Sequence, residues 1–143
     1  VVGPAEVIES LINLATHTTY GVAGFIQDAS EFALNQGPAF EEDIAAPFRR
    51  RRALGQEILE HQSTVGLIPA QGAMYMMLDI RATGMSGEAF AYALLEAHHI
   101  AVMPGESFGT AAAGHIRVAM TIEDGAFVQA LETLCEFADT LVV

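Results

Sequence analysis

In the stretch HIRVAM, residues 115–120, apolar side chains alternate with side chains of a second kind of surface. Successive residues of a strand point to opposite faces of a sheet, so Ile116, Val118 and Met120 share one face. Arg117 lies on the other face of this predicted strand. The alternation therefore predicts a strand whose apolar side contributes to a core.

Further short elements are indicated on both sides of this strand, from about residue 64 onward. The run MYMMLDI, residues 74–80, is almost continuously apolar and predicts a strand buried on both faces. Ser86 is suited to cap a helix that runs to His98. Residues 100–103 predict another short strand, and Thr121 is expected to cap the last helix. This region is therefore predicted to contain three or four strands with helices packed on them.

The preceding residues show helical spacing of apolar side chains in three segments, which are Pro4–Ala15, Val22–Leu34 and Pro38–His61. Helices followed by short strands and more helices indicate an α+β fold with a small mixed or antiparallel sheet of three to four strands. We divide the chain into residues 1–37, helices expected to dock on another surface, and residues 38–143, the domain that contains the sheet.

Composition and charge exclude several classes of function. Hydrophobic residues make up 52% of the 143 residues, which excludes intrinsic disorder. The net charge is −12, so neither a nucleic-acid partner nor an anionic membrane surface is expected. No apolar run reaches the roughly 18 residues of a membrane-spanning helix. The opening residues VVGP do not resemble a signal peptide and are expected to continue a longer chain.

Few residues of the chain suit metal binding or nucleophilic catalysis. Cys135 is the single cysteine, so no internal disulfide can form, and a reducing, cytoplasmic setting is expected. Its place in a helical pattern predicts packing rather than catalysis. The five histidines show no metal-ligand spacing, and no metal site is expected. Ser107 has no base near it in sequence, and we assign no catalytic residue.

All six basic residues are arginines, so the chain contains no lysine. Four of them, Arg49–Arg52, are consecutive and cannot share one helix face. We expect a solvated helical stretch that pairs with Asp and Glu, with a binding patch as the alternative.

Arg117 is the most informative single residue, because a guanidinium in a core strand requires an anionic partner. Its planar fork of donors suits a carboxylate. The partner is either an internal Asp or Glu or the carboxylate of a ligand. The loop PGESFG, residues 104–109, lies just before this strand, and its glycines allow backbone to approach a ligand closely. It matches neither a dinucleotide-binding nor a Walker pattern.

The stretches MPGESFG, residues 103–109, and GHIRVA, residues 114–119, resemble a motif of class I/II aminotransferases, "PGxxFG…G…hxRhxh" with h apolar. These are fold-type I enzymes that use pyridoxal phosphate. Weaker similarities lie in VGP at residues 2–4, QDA at residues 27–29 and PAQGAMY at residues 69–75. The order and spacing of these segments agree with the family over roughly residues 1–125.

The resemblance implies an enzyme that transfers an amino group between an amino acid and a 2-oxo acid. In the family, the arginine corresponding to Arg117 binds the α-carboxylate of the substrate. The resemblance also implies a missing N-terminal large domain that carries the cofactor lysine, a homodimer, and a small domain formed by residues 38–143. Without a lysine, the isolated chain is expected to be inactive and not to hold pyridoxal phosphate covalently.

Two further implications concern the surroundings of the substrate. Residues 17–20 would lie near the active site of the neighbouring subunit. Met74 replaces a phenylalanine of the family motif and is expected to alter the substrate pocket.

Other interpretations of the same residues stay open. The chain could be a stand-alone α+β module that binds a small carboxylate or regulates a partner. It could also be a purely structural or dimerising piece. Decarboxylases, lyases and synthases share the fold and the carboxylate-binding arginine, so the resemblance fixes the family more firmly than the reaction.

Overall fold

The computed structural model describes residues 2–142 and divides into two compact units, Val1–Asp43 and Ile44–Val143. Within residues 2–142 there are five α-helices and four strands, in the order α1-α2-α3-β1-β2-α4-β3-β4-α5. None of these helices is both long and apolar enough to cross a membrane.

The first unit contains α1 (Ala5–Thr18), α2 (Gly24–Leu34) and the beginning of α3 (Pro38–Glu60). All three predicted helices are present, with ends shifted by a few residues. Neither α1 nor α2 has a buried residue. Their exposed apolar side chains include Val7, Leu11, Ile12, Leu14, Phe25, Ile26, Phe32 and Leu34. These faces are of the kind expected for helices that dock elsewhere, and the docking of residues 1–37 on a large domain stays a prediction.

The second unit is built around a four-stranded antiparallel sheet. Its strands are β1 (Gly66–Ile68), β2 (Tyr75–Asp79), β3 (Met103–Pro104) and β4 (His115–Ala119). Their spatial order is β1-β2-β4-β3, so β4 lies between β2 and β3. This arrangement confirms the predicted α+β fold with a small sheet.

Helices cover one side of this sheet, which we call the closed face and define by Met76, Leu78, Ile116 and Val118. These four side chains join a core with residues of α3, α4 (Gly87–His98) and α5 (Asp124–Asp139). Core residues from the helices include Leu59, Phe90, Leu94, Phe127, Leu131 and Leu134. As predicted, Ile116, Val118 and Met120 all point into the core.

The opposite side of the sheet is the open face, which we define by Tyr75, Met77, Asp79, His115 and Arg117. Each of these residues is only partly buried. The prediction that the strand within residues 74–80 is buried on both faces is therefore wrong. Its high apolar content reflects methionine and tyrosine side chains on the open face, where no helix of the second unit covers them completely.

Two further predictions, the strand at residues 100–103 and the helix cap at Thr121, are also wrong. The strand expected at residues 100–103 is instead Met103–Pro104, because only these two residues pair with β4 before the chain turns at Gly105. Thr121 does not cap the last helix. The chain stays beside the sheet through Met120, whose N–H donates to the Met74 carbonyl, and α5 begins at Asp124.

The predicted cap of α4 is confirmed. The Ser86 hydroxyl accepts a hydrogen bond from the N–H of Ala89 at 3.1 Å. This bond satisfies one of the N–H groups that the first turn of a helix leaves without a partner.

Candidate functional site

Arg117 lies on the open face, in the middle of β4. Its direct neighbours across the two ladders are Met77 on β2 and Met103 on β3. Arg117 is partly buried, on the side of the sheet away from the core. The strand itself belongs to the core, as predicted, but its alternation places the guanidinium outside it.

Two aromatic rings contact the Arg117 guanidinium. Its Cζ lies 4.0 Å from the centroid of the Tyr75 ring and 4.5 Å from the centroid of the Phe108 ring. Both distances are well inside the roughly 6 Å range of cation–π attraction. Tyr75 comes from β2 and Phe108 from the turn after β3, and these elements flank β4 on opposite sides. The rings therefore approach the arginine from two directions.

Acidic side chains do not neutralise this guanidinium within the part of the chain that the structure describes. Across residues 2–142, no Asp or Glu forms an ion pair or a hydrogen bond with Arg117. By contrast, Arg50, Arg51 and Arg81 each bind an aspartate. Of the two partners considered from the sequence, an internal carboxylate is thus not found among residues 2–142.

The loop before β4 contains two short 3-10 turns, Gly105–Phe108 and Thr110–Ala112. The side chain of Glu106 points back into this loop. Its Oε1 accepts hydrogen bonds from the N–H groups of Gly87, at 2.9 Å, and Gly114, at 3.1 Å. Glu106 thus joins the loop to the first residue of α4 and to the residue preceding β4.

The electrostatics of the loop follow from these hydrogen bonds. The backbone N–H of Glu106 itself, followed by those of Gly114 and Gly87, lowers the pKa of the Glu106 carboxyl below its usual value. The Glu106 side chain is therefore a carboxylate at neutral pH. Sequence reasoning missed its role, and the available signal was an acidic residue inside a loop rich in glycine N–H donors.

Two glycines allow this loop to pack closely. A Cβ on Gly105 would lie 2.1 Å from the carbonyl oxygen of Ala112. A Cβ on Gly87 would lie 2.4 Å from the His115 carbonyl oxygen and equally close to Glu106 Oε2. The loop glycines were expected to let backbone approach a ligand. Gly105 instead permits close packing of the loop against its own backbone, which fixes the turn that carries Phe108.

Two of the four consecutive arginines, Arg50 and Arg51, bind the same aspartate but differ in burial. Arg51 is buried, and it donates to Asp124 Oδ1 at 2.8 Å and to the Met120 carbonyl at 2.9 Å. Arg50 is more exposed and binds the other oxygen of Asp124. The predicted pairing with acidic residues is therefore present, but the expectation of a wholly solvated stretch is wrong. Arg51 is buried because it joins α3 to the end of β4 and to the start of α5.

The remaining candidates differ in exposure. Ser107 is exposed in the first turn of the loop, and Met74 is exposed just before β2. Cys135 is buried in α5, and burial, aided by nearby acidic residues, raises the pKa of its thiol to about 12. Within residues 2–142, no cluster of three or more His, Cys, Asp or Glu side chains could hold a metal ion.

A family model for class I and II aminotransferases matches residues 1–134. The chain therefore belongs to the class I and II aminotransferase family, as its motifs indicated.

The individual relatives are aminotransferases that are named for different amino acids. The chain is 43% identical over 122 residues to arginine–pyruvate transaminase AruH of Pseudomonas aeruginosa, covering 85% of this chain and 31% of that protein. It is 28% identical over 136 residues to an aspartate aminotransferase of Pyrococcus horikoshii, covering 94% of this chain and 35% of that one. The chain thus spans about a third of the length of these curated relatives.

The fold is also similar to that of solved aminotransferases. The crystal structure of an aromatic aminotransferase from Pyrococcus horikoshii superposes with a TM-score of 0.78 at 25% identity. The match covers 99% of this chain and 39% of that structure.

Proteins of this family depend on pyridoxal phosphate. The residues of this chain do not provide the attachment point for that cofactor. All six of its basic residues are arginines, so no side-chain amine is present to bind the cofactor covalently. The chain does contain the Arg117 guanidinium, whose donors are suited to a carboxylate.

Proposed function

We propose that this chain is the carboxyl-terminal portion of a pyridoxal-phosphate-dependent aminotransferase and binds the α-carboxylate of the substrate through Arg117. The observation that carries this proposal is the set of contacts that Arg117 makes on the open face. Its guanidinium is held by two rings, while no carboxylate in residues 2–142 binds it. A cation arranged in this way provides a site for an anionic ligand.

The chemistry of the side chain fits a carboxylate better than other anions. A guanidinium presents parallel N–H donors that match the two oxygens of a planar carboxylate. Amino acids and 2-oxo acids both carry this group, so one arginine can bind the donor and the acceptor. Neighbouring apolar side chains, including Met77 and Met103, reduce competition from water and strengthen the interaction.

Arg117 has an orienting role in this proposal. Fixing the α-carboxylate fixes the direction of the bonds at the neighbouring α-carbon, where amino transfer takes place. Correct orientation of reacting groups lowers a reaction barrier by several kcal/mol. The lysine and the cofactor are supplied by an N-terminal large domain, in an enzyme that acts as a homodimer in the cytoplasm.

The substrate is proposed only as an amino acid with a 2-oxo acid as acceptor. The curated relatives are named for arginine with pyruvate in one case and for aspartate in another. The side chain of the donor is recognised by parts of the enzyme beyond Arg117, and replacement of the motif phenylalanine by Met74 is expected to change that recognition.

Substitution of Arg117 in the complete enzyme tests the proposal. We expect Arg117→Ala to lower kcat/KM for amino-acid donors by about 100-fold or more, because the carboxylate loses a bidentate charged partner. Arg50→Ala is a matched control, since that arginine lies on α3 and binds Asp124. Equal kinetics for wild type and Arg117→Ala would remove Arg117 from this role.

The isolated chain provides a second test. Mixed with pyridoxal phosphate, an amino acid and a 2-oxo acid, the 143 residues are expected to show no amino transfer, because they contain no lysine. Turnover above a protein-free control would contradict the proposal.

A stand-alone carboxylate-binding or regulatory module is the competing function. It is favoured by the second unit having its own core around its own sheet. Calorimetry of the isolated chain with amino acids separates the two functions. Saturable binding without cofactor, lost in Arg117→Ala, would favour the module, whereas the aminotransferase proposal expects no strong binding by the chain alone.

A further inference from the structure

The aromatic contacts of Arg117 are not explained by packing of the core. Phe108 is 47% exposed, on a turn outside the hydrophobic cluster, and Tyr75 lies on the open face. Yet both rings lie within 4.5 Å of the same guanidinium carbon. Both rings contact Arg117, so we look for their role in an effect on this arginine.

The backbone places Tyr75 so that its ring can reach Arg117. Across the β2–β4 ladder, Tyr75 is directly opposite Ala119, and Arg117 is directly opposite Met77. Tyr75 and Arg117 are thus diagonal neighbours, a spacing that aromatic and long side chains can bridge. Ala119 has only a methyl group, which leaves room for the ring to lean toward Arg117.

Phe108 lies on the opposite side of Arg117 from Tyr75, in the loop between β3 and β4. Glu106, two residues earlier in the same turn, accepts hydrogen bonds from Gly87 and Gly114. Gly105 packs so closely that its Cα has no space for a side chain. These contacts hold the backbone of the turn, and the turn places the Phe108 ring with its centroid 4.5 Å from the Arg117 Cζ.

We infer that Tyr75 and Phe108 are positioning residues, which hold the Arg117 guanidinium between their rings so that its N–H edge is presented to a carboxylate. This inference rests on the proposed function and adds two residues to it. An arginine side chain has many rotamers, and ordering it on binding costs free energy. Rings that order it beforehand reduce that cost, and the gain appears as tighter binding of the substrate.

The first experiment measures the order of the Arg117 side chain directly in the 143-residue chain, with no ligand. We use ¹⁵N relaxation of the Arg117 Nε–H group. Tyr75→Leu and Phe108→Leu remove a ring but keep an apolar side chain, and we expect both to increase Arg117 motion. Tyr75→Phe and Phe108→Tyr keep a ring and are expected to retain wild-type order. Tyr92→Leu is the matched control, because Tyr92 is an exposed aromatic residue on α4.

The second experiment measures kinetics in the complete enzyme. Each leucine variant is expected to raise KM for amino-acid donors by about three- to thirty-fold, the range that corresponds to loss of one cation–π contact, with kcat little changed. The variants that keep a ring are expected to retain the wild-type KM. Phe108→Leu lies in an exposed turn, so it provides a folded variant even if Tyr75→Leu disturbs the sheet.

The outcomes separate this inference from the proposed function. The inference is overturned if the leucine variants leave either Arg117 order or KM unchanged, or if the ring-keeping variants lose as much as the leucine variants. If Arg117→Ala also leaves KM unchanged, the proposed function fails as well. If Arg117→Ala raises KM but neither leucine variant does, Arg117 binds the carboxylate without help from the rings.

Discussion

Arg51 and Arg117 lie in the same compact unit, but their surroundings differ in one decisive respect. Arg51 is buried and donates to a carboxylate and a backbone carbonyl. Arg117 is partly buried between two rings, and no carboxylate in the described residues binds it. The donors of Arg51 are bonded within the protein, whereas the proposed function assigns those of Arg117 to the carboxylate of a substrate.

Under the proposed function, this difference separates a structural arginine from one that binds a ligand. Burial alone points the wrong way, since Arg51 is the more buried of the two. Satisfaction of the N–H donors is the better criterion, because a donor that is already bonded has little to offer a ligand.

The surroundings of Arg117 depend on close packing of the loop, and Gly105→Ala breaks that packing. The added Cβ would lie 2.1 Å from the Ala112 carbonyl oxygen, a backbone atom that cannot move away alone. We expect a loss of about 3 kcal/mol in the free energy of unfolding, measured by urea denaturation of the chain. Gly125→Ala is the control, because a Cβ there would have no atom within 4 Å apart from its chain neighbours and the backbone of its own helix. Equal losses in both variants would show that the loop is not tightly packed.

Removing the donors of each arginine should affect stability unequally. Arg51→Met keeps the apolar stem but leaves the Met120 carbonyl without this donor and Asp124 without one of its two arginines. We expect a loss of about 2 kcal/mol in the free energy of unfolding. Arg117→Met should lose about 0.5 kcal/mol or less, since only ring contacts are removed. Similar urea midpoints for the two variants would contradict the comparison.

The acidic partner of Arg81 gives the open face a pH-dependent contribution to stability. Hydrogen bonds from Arg81 lower the pKa of Asp79 from 3.8 to about 2. Because the folded-state pKa is the lower one, the stabilisation is complete above about pH 4 and is lost as the pH falls toward 2. We expect Asp79→Asn to be less stable than wild type by about 0.5–1 kcal/mol at pH 6. The difference should shrink at pH 3, and a constant difference would argue against the ion pair as its source.

The reactivity of the Cys135 thiol measures how well the helices protect the closed face from solvent, and it should change least. Burial first, and then nearby acidic residues, raise the pKa of its thiol to about 12. At pH 8 we expect no reaction of the folded chain with a thiol reagent over hours, and reaction of one thiol per chain in urea. Rapid reaction without denaturant would show that the closed side opens readily.

Several parts of the fold could be predicted because local sequence and final structure agree. The alternation of HIRVAM specified which residues of β4 enter the core, and the Ser86 cap marked the start of α4. The position of the strand at residues 74–80 was predicted correctly, but its burial on both faces was not. Its methionines and tyrosine are apolar on both faces, so the sequence contained no polar residue to mark the open face before Asp79.

The features that were missed depend on contacts distant in sequence. Glu106 is bonded to Gly87 and Gly114, and Arg51 is bonded to residues about 70 positions later. Such partners cannot be inferred from spacing along the chain. The position of Arg117 was predictable from its motif, whereas its two aromatic neighbours required the order of the strands, since β2 is brought beside β4 only in the folded sheet.

The outer strands of the sheet have a consequence for self-association. β1 has three residues, and β3 has two, of which Pro104 lacks an N–H group. Short edges and proline make a sheet a poor template for strands of another molecule, which protects against fibrous aggregation. Assembly of this apolar chain with itself or with other proteins is therefore expected to proceed through side-chain surfaces, not by extension of the backbone ladder.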